Sequence, residues 1–340
     1  ARLILGGTLL AAGWLKLFNP YEAKASVRAY DLLPVPVANF LGTILPSLEI
    51  ALALFIIIGI AGLVVSNFVD ELRVYQGAQI ATYIVAISSL ILLTGYSGQV
   101  SLGHGAFLAI GGYAAAVAKN NFHLPTPVTF LVAAVFAAIA GAILGVAAAR
   151  LSGPYLAGTT LALALGIPSI ANQFSILGGE QGLLYDVGLP PKFLGDNFTQ
   201  YKWFFWISLT LALISMWLLQ NLLRSRYGRT WRAIRINRIA SELIGINAAR
   251  KQILAFTISA AIAGLSGSML VMTISTVSPS AFPLALSFSL LTGAVISGIA
   301  TLPGVVLGSF TLVVIPEIAD AITSRTTFSE AVVANLPGFI

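Results

Sequence analysis

Apolar runs of membrane-spanning length, at residues 75–95, 127–149, 203–223 and 253–275, limit this chain more than any other feature. A helix needs about 20 consecutive apolar residues to cross a hydrocarbon core about 30 Å thick. Inside that core each backbone N–H and C=O must find a partner within the protein, and a continuous apolar run meets the demand as a helix. Composition agrees, with 58% of residues hydrophobic and 9% charged, against about 25% charged in an ordinary soluble domain. The expected fold class is all-α, a polytopic integral membrane helix bundle of about ten hydrophobic segments. The runs at 104–118 and 286–301 fall about one helical turn short of a span, which points to partial or broken helices.

The same composition excludes several kinds of chemistry. There is no cysteine, so disulfides, thiolate metal sites and cysteine nucleophiles are ruled out. The two histidines, His104 and His123, are not paired as metal ligands, and no G-x-x-x-x-G-K-[ST] loop exists to cradle a nucleotide phosphate. No catalytic residue, metal site or cofactor is expected, and any ATP is hydrolysed elsewhere. Arg2 lies too near the start, and the run after it is too unlike a cleavable signal, for a removed signal peptide to be expected.

A net charge of +6 does not argue for nucleic acid in such a chain, because basic residues first mark the cytoplasmic loops. Arg224, Arg226, Arg229, Arg232, Arg235, Arg238, Arg250 and Lys251 are eight of the 18 basic residues and face one acid, Glu242. The 224–251 loop is therefore expected to be cytoplasmic. Alternating the spans from it puts 172–202 outside, with Glu180, Asp186 and Asp196, and Arg150 inside. Lys16, Lys24 and Arg28 then also fall inside, and Asp70 and Glu71 outside.

Within the basic segment the arginines from 229 to 238 recur every three residues and so spiral around a helix. Ile236, Ile239, Ala240, Leu243 and Ile244 instead follow the i, i+3, i+4, i+7, i+8 pattern of a single buried stripe, and Gly245 is placed as a C-cap. The expectation is one short helix over about 226–246, too short to span. It could lie on anionic lipid, or sit in a groove of a soluble motor subunit and push on both flanking spans.

A second polar island, "TGYSGQVSLGHGAF" at 94–107, interrupts an apolar stretch. Gly95, Gly98, Gly103 and Gly105 would break a helix, and Gln99, Ser101 and His104 offer partners for the freed backbone groups. Irregular backbone at membrane depth is tolerated where protein buries it or where it lines a cavity. Gly98, Gln99, Ser101, Gly103 and His104 are the candidate broken helix and translocation pathway, although a lone buried histidine is more often simply hydrogen-bonded within a bundle. The G-x-x-x-G pairs Gly141/Gly145 and Gly304/Gly308 are read as ordinary helix packing rather than a dimer seam. The spans hold almost no Asp, Glu or Lys, whereas an ion-coupled carrier needs titratable groups along its path.

These stretches, with "RLSGPYLAGTTLALAL", "GGEQGL", "SRYGRTWRAIRINRIASELIGIN" and "SPSAF", make residues 63–340 resemble the permease subunits of branched-chain amino acid (Liv-type) ABC importers, M type more than H type. The resemblance implies a non-enzymatic transport subunit of the bacterial plasma (inner) membrane. It also implies partners: ABC ATPase subunits, an H-type second permease subunit as heterodimer, an extracytoplasmic solute-binding protein and the lipid bilayer. By the same resemblance the ATPase-coupling loop is carried by Gly228, Arg229, Arg232, Ala233, Arg235, Glu242 and Gly245. Related permeases for urea and short amides share the S-L-G-H-G-A-F motif, so they stand as an alternative. Two departures are visible: "SGIATLPG" has Ser297 and Ala300 where the family has glycines, and the chain stops at "NLPGFI" where the family continues, so truncation is expected.

Residues 1–62 have a different texture, with charges around two hydrophobic segments, and resemble the first half of the MauE/DoxX-like family of small membrane proteins. A natural fusion, a design and an assembly artefact all accommodate that join. Glu49, after Pro46, reads as a charge favourable near a helix N-terminus. Two competing functions remain: a secondary transporter, and a MauE/DoxX-like redox or maturation factor, which the lack of cysteine weakens.

Overall fold

In a computed structural model the described residues are 69–325, apart from 152, 189, 191–197 and 300, with backbone alone for 320–325. The chain divides into two compact units, Ala1–Glu71 and Leu72–Ile340, and nearly everything described belongs to the second. The expectations for residues 1–62, Glu49 included, lie outside the described residues.

The second unit is a helix bundle. Helix α1 (Glu71–Leu90) tightens into a π-helical segment, Ile91–Tyr96, and then breaks. After it come α2 (His104–Phe122), α3 (Thr126–Ala148), α4 (Pro154–Gln173) and α5 (Gln200–Arg224). Two short helices, α6 (Arg226–Ile236) and α7 (Arg238–Leu243), precede α8 (Ala248–Ile274), α9 (Leu284–Ile296) and α10 (Val305–Arg325). Among the described residues six stretches are long and apolar enough to cross a membrane: Glu71–Tyr96, Thr126–Ala148, Pro154–Gln173, Gln200–Arg224, Ala248–Ile274 and Pro279–Ile296. The protein is thus a multi-pass membrane protein. The two short runs differ in outcome: 104–118 extends to Phe122, whereas the other ends at Ile296, where Ser297 and Gly298 close α9.

Helix ends follow local chemistry. Pro125 and Pro127 start α3 with a missing N–H that a helix N-terminus does not need. Asn247 caps α8 by accepting from the Arg250 N–H at 3.0 Å. The backbone N–H of His123, in the left-handed region, closes α2 on the Ala118 carbonyl.

Burial separates inner from outer helices. Over an apolar 18-residue stretch of each span, 67% is buried in Glu71–Tyr96 and 61% in α8, against 28% in α3 and 22% in α4. Leu131, Val135, Ile139, Ile143 and Val146 are exposed on α3 at steps of four and three, one apolar stripe along a helix. Such a stripe is costly in water and natural against lipid tails.

Lipid tails are as apolar as leucine, so the bundle needs other forces to hold it together. Serines supply one: Ser259 Oγ of α8 donates to the Ser89 carbonyl of α1 at 2.7 Å, and Ser266 Oγ to the Thr82 carbonyl at 2.9 Å. The seven-residue step on both helices, in opposite directions, is two turns of an antiparallel pair. Close backbone approach supplies another. A Cβ on Gly141 would overlap Ala260 of α8, and one on Gly145 would come within 3.1 Å of Phe256. Gly308 meets the Gly293 carbonyl of α9 in the same way. Both G-x-x-x-G pairs therefore pack within the chain.

The two ends of the bundle differ. One gathers Tyr96 and the Arg224–Lys251 segment. At the other a two-residue antiparallel ladder joins β1 (Leu183–Leu184) to β2 (Thr276–Val277), a small addition to an otherwise all-helical fold. Asn120 Nδ2 donates to the Leu184 carbonyl at 2.8 Å, and the Tyr185 hydroxyl lies 2.5 Å from Thr129 Oγ1. Burial pushes the Tyr185 phenol above its ordinary pKa, and its bond to Thr129 pulls the other way.

Candidate functional site

The glycine-rich island breaks the chain between α1 and α2. The π-helical turn at 91–96 inserts an extra residue, as such turns do at functional positions. Ser97 N–H then closes on the Leu92 carbonyl and Gln99 N–H on the Leu93 carbonyl, both at 3.1 Å. Gly98 turns the chain at φ 74°, a conformation that strains other residues. Helix α2 restarts at His104, with Gly103 as its N-cap. A Cβ on Gly103 would overlap the Thr160 carbonyl of α4, so this position admits only hydrogen. The break lies beside the basic helices, at the end of the bundle rather than midway along a span.

Along the break, exposure alternates. Gly98 and Val100 face out, whereas Gln99 and Ser101 are buried. Ser97 Oγ donates to Gln99 Oε1 at 3.2 Å and Thr94 Oγ1 to the Gln99 carbonyl at 3.3 Å. His104 Nε2 lies 2.7 Å from Ser89 Oγ, and Ser89 Oγ also donates to the Ala86 carbonyl at 2.6 Å. A hydroxyl has one proton, so His104 donates from Nε2 and keeps an acceptor lone pair at Nδ1. Its ring rests edge-on against Phe107, 5.7 Å between centroids. Gln99 Nε2, Ser101 Oγ and His104 Nδ1 are buried without a hydrogen-bond partner among the described residues. Unsatisfied buried polar atoms are rare in folded chains, and three within six positions mark this segment.

The neighbours of the island come from distant helices. Leu102 N–H donates to Thr160 Oγ1 at 3.0 Å, and Gly105 N–H to Ser287 Oγ at 3.0 Å. Sequence reasoning missed Ser89, Thr160, Ser259 and Ser287. Their one sequence signal is a hydroxyl in an apolar helix, too common to single them out.

The basic segment departs from expectation in three respects. It is two helices, because Asn237 adopts extended backbone and caps α7, its Oδ1 accepting from the Ala240 N–H at 3.0 Å. The apolar stripe is not buried: Ile236, Ile239, Leu243 and Ile244 are 85%, 71%, 83% and 75% exposed within this chain. Two of the arginines, although exposed, donate to carbonyls of the chain itself. Arg232 donates from Nη2 to the Leu223 carbonyl at 2.9 Å and from Nε to the Gly228 carbonyl at 3.3 Å, with its guanidinium 5.5 Å from the Tyr96 ring centre. Arg235 donates to the Gly95 carbonyl.

The other expected coupling residues have local roles. Arg229 donates to the Arg224 carbonyl at 3.1 Å. Gly228 passes so close to Leu223 that a Cβ would overlap its carbonyl. The Ala233 carbonyl accepts from the Asn237 N–H, ending α6. Glu242 pairs with Arg238 at 3.1 Å on the surface, an arrangement worth little in stability. Gly245 ends α7 at φ 89°, with Ile246 N–H returning to the Ser241 carbonyl at 3.1 Å. The anchor of the segment is Trp231, fully buried, whose Nε1 donates to the Lys251 carbonyl at 2.8 Å. Through Trp231, Arg232 and Arg235, α6 is joined to the ends of α8, α5 and α1. The structure therefore brings the two candidate groups into direct contact, at Gly95–Gly98 and Arg235.

Comparison with known proteins bears on this arrangement. The family described as branched-chain amino acid transport system / permease component matches residues 74–336. The family of methylamine utilisation protein MauE matches residues 1–110, overlapping the first by more than one helix. The chain is 31% identical over 261 residues to the high-affinity branched-chain amino acid transport system permease proteins LivM of Escherichia coli and of Salmonella typhimurium. Each alignment covers 69% of this chain and 61% of the relative's length. No solved structure matches. With the match running from α1 into the residues beyond α10, the chain belongs to the branched-chain amino acid transport system permease family.

Proposed function

We propose that this chain is the transmembrane permease subunit of an ATP-driven importer for branched-chain amino acids, in a bacterial inner membrane with the 224–251 loop cytoplasmic. In this reading residues 63–340 are the permease domain and 1–62 a MauE-like two-helix segment. The observation that carries it is the exposed apolar row Ile236, Ile239, Leu243 and Ile244 on two short helices keyed to the ends of longer ones. Exposed isoleucine and leucine in water are costly, at about 25 cal/mol per Å². Set between α5 and α8, they suit the groove of an ATPase subunit that then moves both helices. An H-type permease would complete the pore and a binding protein deliver the solute. Gln99, Ser101 and His104 serve as neutral polar contacts along the path, strong enough to orient a zwitterion and weak enough to release it.

The test is reconstitution with the partner ATPases, second permease and binding protein. Ile239→Asp with Leu243→Asp is expected to abolish co-purification of the ATPases and uptake of labelled leucine while membrane levels stay normal. ATP-driven uptake surviving both changes would sink the reading. Uptake of urea or short amides in place of leucine would redirect the substrate, and uptake driven by an ion gradient without ATPases would replace the mechanism.

A further inference from the structure

We propose that Arg235 is the positioning residue through which α6 acts on the break between α1 and α2, a latch that holds the Gly95–Gly98 turn shut. The inference rests on the transport reading above and adds the joint by which motion would reach the path.

Five observations meet at this point. The carbonyls at the end of a helix have no partner further along it, and the Gly95 carbonyl is taken by the Arg235 guanidinium, 140 positions away in the chain. The Arg235 stem lies on Gly98, where an added Cβ would come within 2.9 Å of its Cγ. Gly98 is at φ 74°, so both its backbone and its lack of a side chain are needed for that contact. From the other direction a Cβ on Gly95 would overlap the Ile299 carbonyl, which leaves the turn clasped between α6 and the connection from α9 to α10. Arg232, over the Tyr96 ring, adds a second cationic contact one turn earlier on α6.

What the latch holds is a segment that carries three buried unpartnered polar atoms within six positions, on Gln99, Ser101 and His104. Single π-helical turns of this kind are rare and frequent at functional sites. Displacement of α6 would pull Arg235 from the Gly95 carbonyl and let residues 97–103 rearrange, opening Gln99 and Ser101 to the path. Trp231 makes α6 move as a body with the start of α8, so the pull is not lost in local bending. A guanidinium–carbonyl bond suits a latch, because it is directional and yet can be exchanged for water.

The experiment uses the complete complex in proteoliposomes with labelled leucine. Arg235→Gln is expected to leave ATPase assembly and ATP hydrolysis in place while uptake falls roughly tenfold or more, the scale of one charged hydrogen bond. Arg235→Lys, which also donates a charged hydrogen bond, should restore most of the uptake. A second readout uses the absence of cysteine from the chain. With Ser101→Cys as the lone thiol, an impermeant maleimide should label it only during turnover with Arg235, and already at rest, without ATP, with Arg235→Gln. Wild-type uptake beside equal uptake or equal labelling at rest in Arg235→Gln overturns the latch alone, as does failure of that variant to bind ATPases. A wild-type complex without ATP-dependent uptake overturns the transport reading and the latch with it.

Discussion

Single glycines of this chain differ in what surrounds them, and that difference sets the sign of a substitution. Gly103 faces the Thr160 carbonyl with no room for a methyl group, whereas Gly158, within α4, has nothing within 4 Å. Gly103→Ala should destabilise by about 1–3 kcal/mol through overpacking, and Gly158→Ala should stabilise by about 1 kcal/mol through helix propensity. Thermal unfolding in detergent reads both, and equal shifts would refute the contrast. Tyr185 gives a pH dependence. Its phenol is raised above its ordinary value in the folded state. The unfolded chain then loses that proton first, so the stability is intact below about pH 10 and declines as the pH rises past it. Tyr185→Phe should remove this alkaline step from the unfolding profile.

At the level of helices, the pairing of α1 with α8 through two serines predicts a modest cost for its loss. Interhelical hydrogen bonds in bilayers average about 0.6 kcal/mol. Ser259→Ala with Ser266→Ala should therefore cost about 1 kcal/mol in detergent unfolding, and a loss several times larger would mean that repacking dominates. The break between α6 and α7 is equally specific. Asn237→Ala removes the cap of α7 and should cost about 1 kcal/mol. It should also favour a continuous helix that swings Ile239 and Leu243 to a new direction. Weaker ATPase association with unchanged membrane insertion checks this. Reading 226–246 as one helix failed because an asparagine within a good helical pattern competes for the backbone with its own side chain.

Across the molecule, the separation of inner from outer helices explains why hydropathy alone ranks the spans poorly. Helix α2 carries His104 at one end and Lys119, Asn120 and Asn121 at the other, which keep it from standing out as a span by hydropathy, yet His104, Phe107 and Leu108 are almost fully buried against its neighbours. The most hydrophobic span, Thr126–Ala148, is among the least buried within the chain. In a bilayer the lipid-facing surface is the greasiest, and inner helices trade large side chains for small ones that let backbones meet.

The spans, the basic end and the break at 94–104 were legible from residue order, because each rests on a local property: run length, charge excess, or clustered glycines that no continuous helix would carry. Gly98 and Gly103 could be marked as interrupting positions for the same reason. The partners of the two arginines were not legible. Arg232 and Arg235 sit in a spiral of like charges, and nothing nearby in sequence separates them from Arg226 or Arg229. Only the folded bundle carries the end of α1 to α6, so that Arg235 finds the Gly95 carbonyl and Arg232 the Tyr96 ring. The stripe at Ile236, Ile239 and Leu243 was visible as a period, but its exposure depends on which faces the other helices cover. Local chemistry thus determined where helices begin, end and break, while long-range packing decided which charged groups bind the chain itself and which apolar face is left for another.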